Sequence, residues 1–256
     1  MNSQVSTTTT DAAWRRLHEA ATAPYRQAGN FAWHFARGKL GRDPVFRGLV
    51  ERGLIGKDHR RVVDIGCGQG LFASLLSAMA AMQSKAGHWP AAWPTTPAAA
   101  DYTGIELMPK DVARAENSIG HLQPAPRFVC GDMCAAAMPA CDLVVILDVL
   151  HYVDHAAQEG VLQRVHGALQ PGGRLLLRIG DMASRRGFAI SQWVDRTVTR
   201  IRGHRVSPTW GRPLAEWTAL LQRMGFSSVQ SIPMSEGTPF ANVLLVADRT
   251  HASASP

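Results

Sequence analysis

The nine residues Val62-Val63-Asp64-Ile65-Gly66-Cys67-Gly68-Gln69-Gly70 join a short apolar run directly to a glycine loop. The loop leads at once into Leu71–Met82, whose alanine, leucine and serine residues predict a helix. In a sheet of parallel strands, ligands bind at the carboxyl ends of the strands, where glycine lets backbone N–H groups approach them closely. The GxGxxG motif of NAD-binding proteins would need glycine or alanine at position 71, where this chain has leucine. The stretch therefore predicts a strand, a ligand-binding loop and a helix, and it departs from the dinucleotide pattern.

Strand and helix patterns alternate after this loop. Further strands are predicted at Tyr102–Leu107, Arg127–Cys130, Leu143–Leu147, Arg174–Ile179, Ser227–Ile232 and Asn242–Ala247. Further helices are predicted at Asp111–Ile119, His155–Leu169 and Leu214–Met224, and Gln170-Pro171-Gly172-Gly173 is expected to act as a breaker. This alternation predicts an α/β fold with a doubly wound, seven-stranded and mostly parallel sheet.

The chain is expected to have four parts around that sheet. Residues 61–250 form the core, with insertions at 83–101 and 182–212 that interrupt the alternation. Residues 11–60 form an N-terminal helical cap, in which Asp43-Pro44 starts a helix. Residues 1–10 and 251–256 are small and polar, as disordered tails usually are.

Composition narrows the class of protein. Apolar residues make up 46% and charged residues 18% of the chain, enough apolar residues for a sizeable core. No apolar run has the length of a transmembrane helix, and the first residues lack the features of a secretory signal. The four cysteines lack the spacing of a zinc site or a disulfide framework. These features predict a cytoplasmic protein without a structural metal.

Positive charge is concentrated in one segment. Nine arginines and only two acids, Asp181 and Asp195, lie between Arg174 and Arg212, so this segment alone accounts for the net charge of +7. We call it the arginine segment. Such a segment is typical of a surface for an acidic partner, a membrane or nucleic acid, or else of a solvated face.

Acidic residues follow the next two predicted strands. Glu106 stands at the tip of the second strand, where a carboxylate accepts two hydrogen bonds from a ribose diol. Asp132 follows the third strand, where it suits the amino group of adenine, although a lone acid at such a place is more often a helix cap. Together with the glycine loop, these acids favour a nucleoside-containing cofactor.

These motifs resemble those of class I S-adenosylmethionine-dependent methyltransferases. The resemblance covers roughly residues 60–250 and rests on Asp64–Gly70, Glu106-Leu107, Gly131-Asp132-Met133, Asp142–Val153 and Leu169–Gly173. More loosely, Phe31 to Phe46 and the motif after it are similar to methyltransferases of bacterial aryl polyene and xanthomonadin-type pigment pathways.

The resemblance implies a cofactor and the residues that bind it. The cofactor is S-adenosyl-L-methionine, which leaves as S-adenosyl-L-homocysteine. The implied cofactor-binding residues are Asp64, Gly66, Cys67, Gly68, Gly70, Glu106, Leu107, Asp132, Met133, the backbone near Asp148, and Arg37 as a partner of the donor's carboxylate.

A weakly acidic acceptor such as a phenol also needs a general base. His151 follows the fourth strand beside the implied methyl donor, with Tyr152 next to it. The rivals are His34 in the N-terminal cap and His204 in the arginine segment. The alternative for His151 is a helix cap or a ring packed against adenine. Asp148 has no second acid that would make a magnesium site, so no metal is expected.

The acceptor is left open by the sequence. Asp148-Val149-Leu150-His151 stands where enzymes that methylate base amines carry (N/D)PP(Y/F), which favours a small aromatic acceptor. That acceptor would be free or tethered to an acidic acyl carrier protein docked on the arginine segment. The alternatives are an RNA methyltransferase whose arginines contact phosphates and a non-catalytic donor-binding scaffold.

Overall fold

The computed structural model describes residues 2–98, 100–180, 210–236 and 241–250. The chain divides into two compact units, Met1–Ala136 and Ala137–Pro256. The predicted tail 251–256 and most of the predicted insertion at 182–212 lie outside the described residues. Within the described residues, no helix is both long and apolar enough to cross a membrane.

The first unit holds five α-helices, one 3-10 helix and three strands among its described residues. They are α1 (Asn2–Thr22), a 3-10 helix (Ala23–Ala28), α2 (Asn30–Arg42), α3 (Pro44–Glu51), β1 (Arg61–Ile65), α4 (Leu71–Gln83), β2 (Asp101–Glu106), α5 (Pro109–Ile119) and β3 (Arg127–Cys130). The strands are parallel and lie in the order β3, β2, β1. Four of the five residues of β1 are buried, as expected for a strand covered on both faces.

The N-terminal part of this unit consists mostly of helices up to Glu51, and the cap at residues 11–60 stays a prediction. Asp43 accepts a hydrogen bond from the backbone nitrogen of Val45 at 3.1 Å, which confirms the predicted start of α3. Helix α1 begins at Asn2 and so includes residues 2–10 of the predicted N-terminal tail. A helix that has already formed extends by one hydrogen bond for each further residue, and the polar residues before Asp11 follow it in this way.

The second unit begins with β4 (Cys141–Leu147) and ends on an antiparallel pair. Its other elements are a 3-10 helix (Leu150–Tyr152), α6 (His155–Ala168), β5 (Leu169–Gly180), α7 (Leu214–Arg223), β6 (Phe226–Pro233) and β7 (Asn242–Arg249). Strand β5 is parallel to β4 on one side and antiparallel to β7 on the other, and β6 is antiparallel to β7. The seven strands described in the two units, with their flanking helices, confirm the predicted α/β class.

The predicted breaker does not lie between two elements. Strand β5 starts at Leu169 and includes residues 170–173, which the sequence places in a turn. The pairing of β4 with β5 shifts between Cys141 and Leu143, so the extra residues form a bulge inside the strand. Gly173 fits there because a β-carbon would lie 2.9 Å from the carbonyl oxygen of Gln170.

Candidate functional site

The glycine loop after β1 turns through three left-handed residues. Gly66, Gly68 and Gly70 have φ angles of 74°, 54° and 72°, a region in which glycine is not strained. A β-carbon on Gly70 would lie 2.9 Å from the side chains of Ile119 and Phe128, whereas one on Gly68 would meet nothing within 4 Å. Gly70 therefore serves packing, and Gly68 faces open space that a ligand can fill.

Glu106 is fixed against this loop at the end of β2. One carboxylate oxygen accepts a hydrogen bond from the nitrogen of Gly68 at 2.9 Å, and the other accepts one from the nitrogen of Met108 at 2.9 Å. A carboxylate has about four acceptor positions, so two are left for the hydroxyls of a ligand. Leu107, the next residue, is 63% exposed and offers an apolar surface beside the carboxylate.

Asp132 and Met133 follow β3 as predicted. Asp132 is exposed, and one of its oxygens accepts a hydrogen bond from the nitrogen of Cys134 at 2.8 Å. The carboxylate thus closes its own turn, which is the structural role foreseen for a lone acid at a strand end. Met133 is half-buried beside it. Their implied contact with adenine stays a prediction.

Asp64 lies buried beneath the glycine loop. Its carboxylate accepts a hydrogen bond from the hydroxyl of Tyr102 at 2.6 Å. Burial raises the pKa of Asp64 to about 7; the hydrogen bond from Tyr102 opposes this, and the charge of Glu106 adds to it. The Cys67 thiol is also buried, and burial raises its pKa. Both side chains are therefore buried at the glycine loop, and their implied contact with the donor stays a prediction.

The N-terminal helices are attached directly to the glycine loop. The hydroxyl of Tyr25, which is fully buried, donates a hydrogen bond to the carbonyl oxygen of Gln69 at 2.8 Å. The hydroxyl of Ser74 in α4 donates to the carbonyl oxygen of Ala21 at 2.6 Å. The side-chain amide of Gln69 donates to Asp111 at 3.3 Å. Neither Tyr25 nor Gln69 is recognisable as an anchor from the sequence, because the hydrogen bond joins residues 44 positions apart.

The other N-terminal candidates lie on the surface. Arg26 and Arg37 approach the ring of Trp33 at 4.8 Å and 5.2 Å from its centroid, and the His34 ring lies 4.7 Å from it. Both His34 and Arg37 are exposed. Their proposed roles as a base and as a partner of the donor stay predictions.

The second unit brings His151 and Tyr152 together after β4. Both lie in the 3-10 helix, with ring centroids 4.3 Å apart. The carbonyl oxygen of His151 accepts a hydrogen bond from the nitrogen of Trp210 at 2.8 Å. His155, one turn later, places its ring 5.5 Å from that of Trp210. The backbone of the candidate base is therefore tied to the chain that leads into α7.

Asp148 precedes this 3-10 helix and forms an ion pair with an arginine that lies thirty residues further along the chain. Its carboxylate accepts a hydrogen bond from Nε of Arg178 at 2.7 Å and a second one from Nη2 of the same guanidinium. Asp148 has a φ of 62°, which is uncommon for a residue other than glycine. This ion pair could not be predicted from the sequence, because nothing distinguishes Arg178 there from the other eight arginines of the arginine segment.

Three arginines of the arginine segment fall within the described residues, and all three have acidic partners. Arg174 pairs with Asp248, Arg178 with Asp148, and Arg212 with Glu159. They therefore belong to the fold of the second unit and not to a solvated face. The other six, at 185, 186, 196, 200, 202 and 205, lie outside the described residues. Within the described ranges, no group of three or more histidine, cysteine, aspartate or glutamate side chains is placed to hold a metal ion.

A family model described as a methyltransferase domain matches residues 32–231. Mouse acetylserotonin O-methyltransferase is 35% identical over 108 residues, which cover 42% of this chain and 27% of that protein. The chain thus spans about a quarter of the length of this curated relative.

Two solved structures share the fold. Magnesium protoporphyrin IX methyltransferase from Synechocystis with bound S-adenosyl-L-homocysteine is 20% identical with a TM-score of 0.55, over 94% of this chain and 95% of that one. The S-adenosylmethionine-dependent methyltransferase SibL is 18% identical with a TM-score of 0.60, over 86% and 58%. At this identity the likeness concerns the fold alone, and it confirms that the predicted doubly wound α/β fold is the Rossmann-like fold of methyltransferases.

Proposed function

The chain belongs to the methyltransferase domain family, and we propose that it transfers a methyl group from S-adenosyl-L-methionine to a hydroxyl oxygen of a small aromatic acceptor. The observation that carries the proposal is the open space at Gly68 beside the fixed carboxylate of Glu106. Left-handed glycines let the backbone approach a ligand, and the carboxylate has acceptor positions for ribose hydroxyls. Exposed Leu107 offers an apolar surface next to them for a nucleobase.

The residues of the first unit fit the donor's polar and apolar parts. Glu106 would hold the ribose, the backbone of residues 66–70 would lie along the sugar and the methionine part, and Asp132 with Met133 would flank adenine. When bound, the donor supplies a methyl group that is already activated on a sulfonium sulfur. The protein's own task is then to align the acceptor and to exclude water.

His151 is the proposed general base for a phenolic acceptor. Its backbone is held by Trp210, and its ring packs against Tyr152, so its position is defined within the second unit. A histidine in this role removes the proton of the phenol as the oxygen attacks the methyl group. Support for oxygen as the acceptor atom comes from the mouse relative, whose name describes it as an O-methyltransferase.

The finer identity of the acceptor is also proposed. An aromatic head group tethered to an acidic carrier protein, as in aryl polyene-type pigment synthesis, would dock on the six arginines between 185 and 205. The same residues would contact phosphates in the RNA alternative. Because Arg174, Arg178 and Arg212 are paired with acids, either partner would have to rely on those six.

The first test follows labelled methyl groups. Purified protein is given labelled donor and a cell extract separated into small-molecule, acidic-protein and RNA fractions. Label among small molecules supports a free acceptor, and label released from acidic protein by hydroxylamine supports a carrier thioester. Label in RNA overturns the small-molecule proposal, and donor binding without transfer to any fraction supports the scaffold alternative.

The second test compares the two candidate bases that lie within the described residues, His151 and His34. We expect His151→Asn to lower kcat by a factor of about 100 or more while donor affinity by calorimetry stays near that of the wild type. His34→Asn is the matched variant, since it makes the same change on an exposed residue of the first unit. The reverse order of effects would assign the base to His34.

A further inference from the structure

Strand β5 carries two arginines of similar sequence context and different surroundings. Arg174 and Arg178 are four residues apart, and each binds one aspartate through two nitrogens. Arg174 pairs with Asp248, which lies directly opposite on β7. Arg178 lies opposite Leu147, the last residue of β4, and binds the residue that follows it, Asp148. One pair joins two strands, and the other holds a strand end.

Burial is unequal within the second pair. The side chain of Arg178 is 1% exposed, whereas that of Asp148 is 33% exposed. Taking a guanidinium out of water is expensive, and replacing a buried ion pair by apolar residues is often neutral or even stabilising. Stability alone therefore does not account for an arginine at this place. A bidentate guanidinium does, however, fix both oxygens of a carboxylate in one plane.

The backbone of Asp148 has a conformation that needs to be held. A φ of 62° brings the side chain of an L-residue close to its own carbonyl, although aspartate tolerates this better than most residues. Strained residues of this kind persist where the surroundings fix them, and they cluster at functional sites. This one directs the chain from β4 into the 3-10 helix Leu150–Tyr152.

The same short segment is held at its other end as well. The nitrogen of Trp210 donates to the carbonyl oxygen of His151, and the side-chain amide of Gln158 donates to the carbonyl oxygen of Trp210 at 2.7 Å. Residues 148–151 are thus fixed by Arg178 at one end and by Trp210 at the other. His151 sits at the second of these two fixed points.

We propose that Arg178 is a positioning residue: by holding Asp148 in its left-handed conformation, it sets the place of His151 for methyl transfer. This inference rests on the proposed function for its catalytic consequence. It does not rest on that function for its structural consequence, which is the ordering of residues 148–151.

Two double variants separate backbone positioning from simple loss of an ion pair. In both variants Arg178→Met removes the guanidinium. The glycine version combines this change with Asp148→Gly, and the alanine version combines it with Asp148→Ala. Both versions lack the ion pair and leave no buried charge. They differ in that glycine accepts a φ of 62° and alanine resists it. We expect kcat to be about tenfold lower or more in the alanine version than in the glycine version, since small misplacements of a catalytic group have effects of this size.

Conservative and matched variants complete the design. Arg178→Lys keeps the charge but not the fork, so we expect its kcat to lie between the wild type and Arg178→Met. Arg174→Met with Asp248→Ala removes the other pair of the same strand and should leave kcat within about twofold. Equal kcat in the glycine and alanine versions, or wild-type kcat in Arg178→Met, overturns the inference.

Amide hydrogen exchange tests the same inference without turnover. The amide of Trp210 is bonded to His151, so its exchange reports the order of that segment. We expect it to exchange about tenfold faster in the alanine version than in the glycine version. If the wild type methylates no acceptor, the proposed function fails, and this measurement still decides the inference. Equal exchange in both versions overturns it.

Discussion

Strands β1 and β4 both end in a left-handed backbone, and they achieve it by different chemistry. After β1, Gly66, Gly68 and Gly70 adopt positive φ angles without steric strain. After β4, Asp148 adopts a φ of 62°, and its carboxylate is held by Arg178, thirty residues further along the chain. The first turn depends on residues that are adjacent in sequence, and the second depends on a distant partner.

The aspartates at the two strand ends also differ in burial and in the group to which they are hydrogen-bonded. Asp64 near the end of β1 is buried, and its carboxylate is bonded to a neutral phenol, that of Tyr102. Asp148 is one-third exposed and is bonded to a guanidinium. We therefore expect the contribution of Asp64 to the free energy of unfolding to depend on pH. The contribution of Asp148 should depend on the presence of Arg178. Four predictions test this difference.

The largest effect is expected from Asp148→Ala. The change leaves the buried guanidinium of Arg178 without its carboxylate and places alanine at a positive φ. Breaking a buried pair in this way lowers the free energy of unfolding by about 4 kcal/mol. Chemical denaturation measures it, with Asp248→Ala in the half-buried pair with Arg174 as the control. A loss below about 1 kcal/mol would contradict the assigned role of the pair.

The second prediction concerns pH and Asp64. Its folded-state pKa of about 7 lies above the ordinary value of 3.8, so the folded protein binds this proton more tightly than the unfolded chain does. The resulting stabilisation is fully present below about pH 4 and is lost as the pH rises to about 7. Over that range the free energy of unfolding falls by up to about 1.4 kcal/mol per pH unit from this group. Asp64→Asn should remove this slope and be more stable than the wild type at pH 8.

Tyr102→Phe is the companion variant for that prediction. The hydrogen bond from Tyr102 lowers the pKa of Asp64, so its removal should raise the pKa and extend the slope to higher pH. Denaturation curves measured from pH 4 to pH 9 give both results. A wild-type slope in Asp64→Asn would show that another group carries the pH dependence.

The third prediction separates the two kinds of glycine in the loop. Gly70→Ala adds a methyl group 2.9 Å from Ile119 and Phe128 at a φ of 72°, and should cost about 2 kcal/mol of stability. Gly68→Ala adds one in open space and should cost about 1 kcal/mol, from backbone strain alone. Because that methyl group fills the space proposed for the donor, donor affinity should fall about tenfold or more in Gly68→Ala. Unchanged affinity by calorimetry would place the donor elsewhere.

Local signals made much of the fold predictable. Strand β3 has the predicted bounds and helix α6 begins at the predicted residue, because apolar runs and helical periodicity depend on neighbouring residues. The end of β2 at Glu106 was likewise visible, as a carboxylate after an apolar run. The bulge at residues 170–173 could not be predicted from the sequence. Proline and glycine are typical of turns and also of bulges, so their presence does not distinguish the two.

Long-range partners explain what the sequence left undecided at the candidate site. The hydroxyl of Tyr25 reaches the glycine loop across 44 positions, and no spacing rule indicates such a bond. The same holds for Arg178 and Arg212, which composition assigns to a charged surface and which the fold pairs with Asp148 and Glu159. Charge counted along a chain does not distinguish a guanidinium that faces water from one that fixes a strand end.

The smallest effect is expected from Arg174→Met, and it bears most directly on the comparison. Arg174 and Asp248 are 25% and 30% exposed, so water replaces much of what the pair provides, and such pairs contribute about 0.5 kcal/mol. The same substitution at Arg178 should cost several times more, although both arginines lie on β5 and both bind an aspartate through two nitrogens. Denaturation of the two variants under one set of conditions measures the ratio. Equal losses of unfolding free energy in the two variants would mean that an ion pair at a strand end stabilises the protein no more than one between two strands. The ends of β1 and β4 would then differ only in the use of glycine at positive φ.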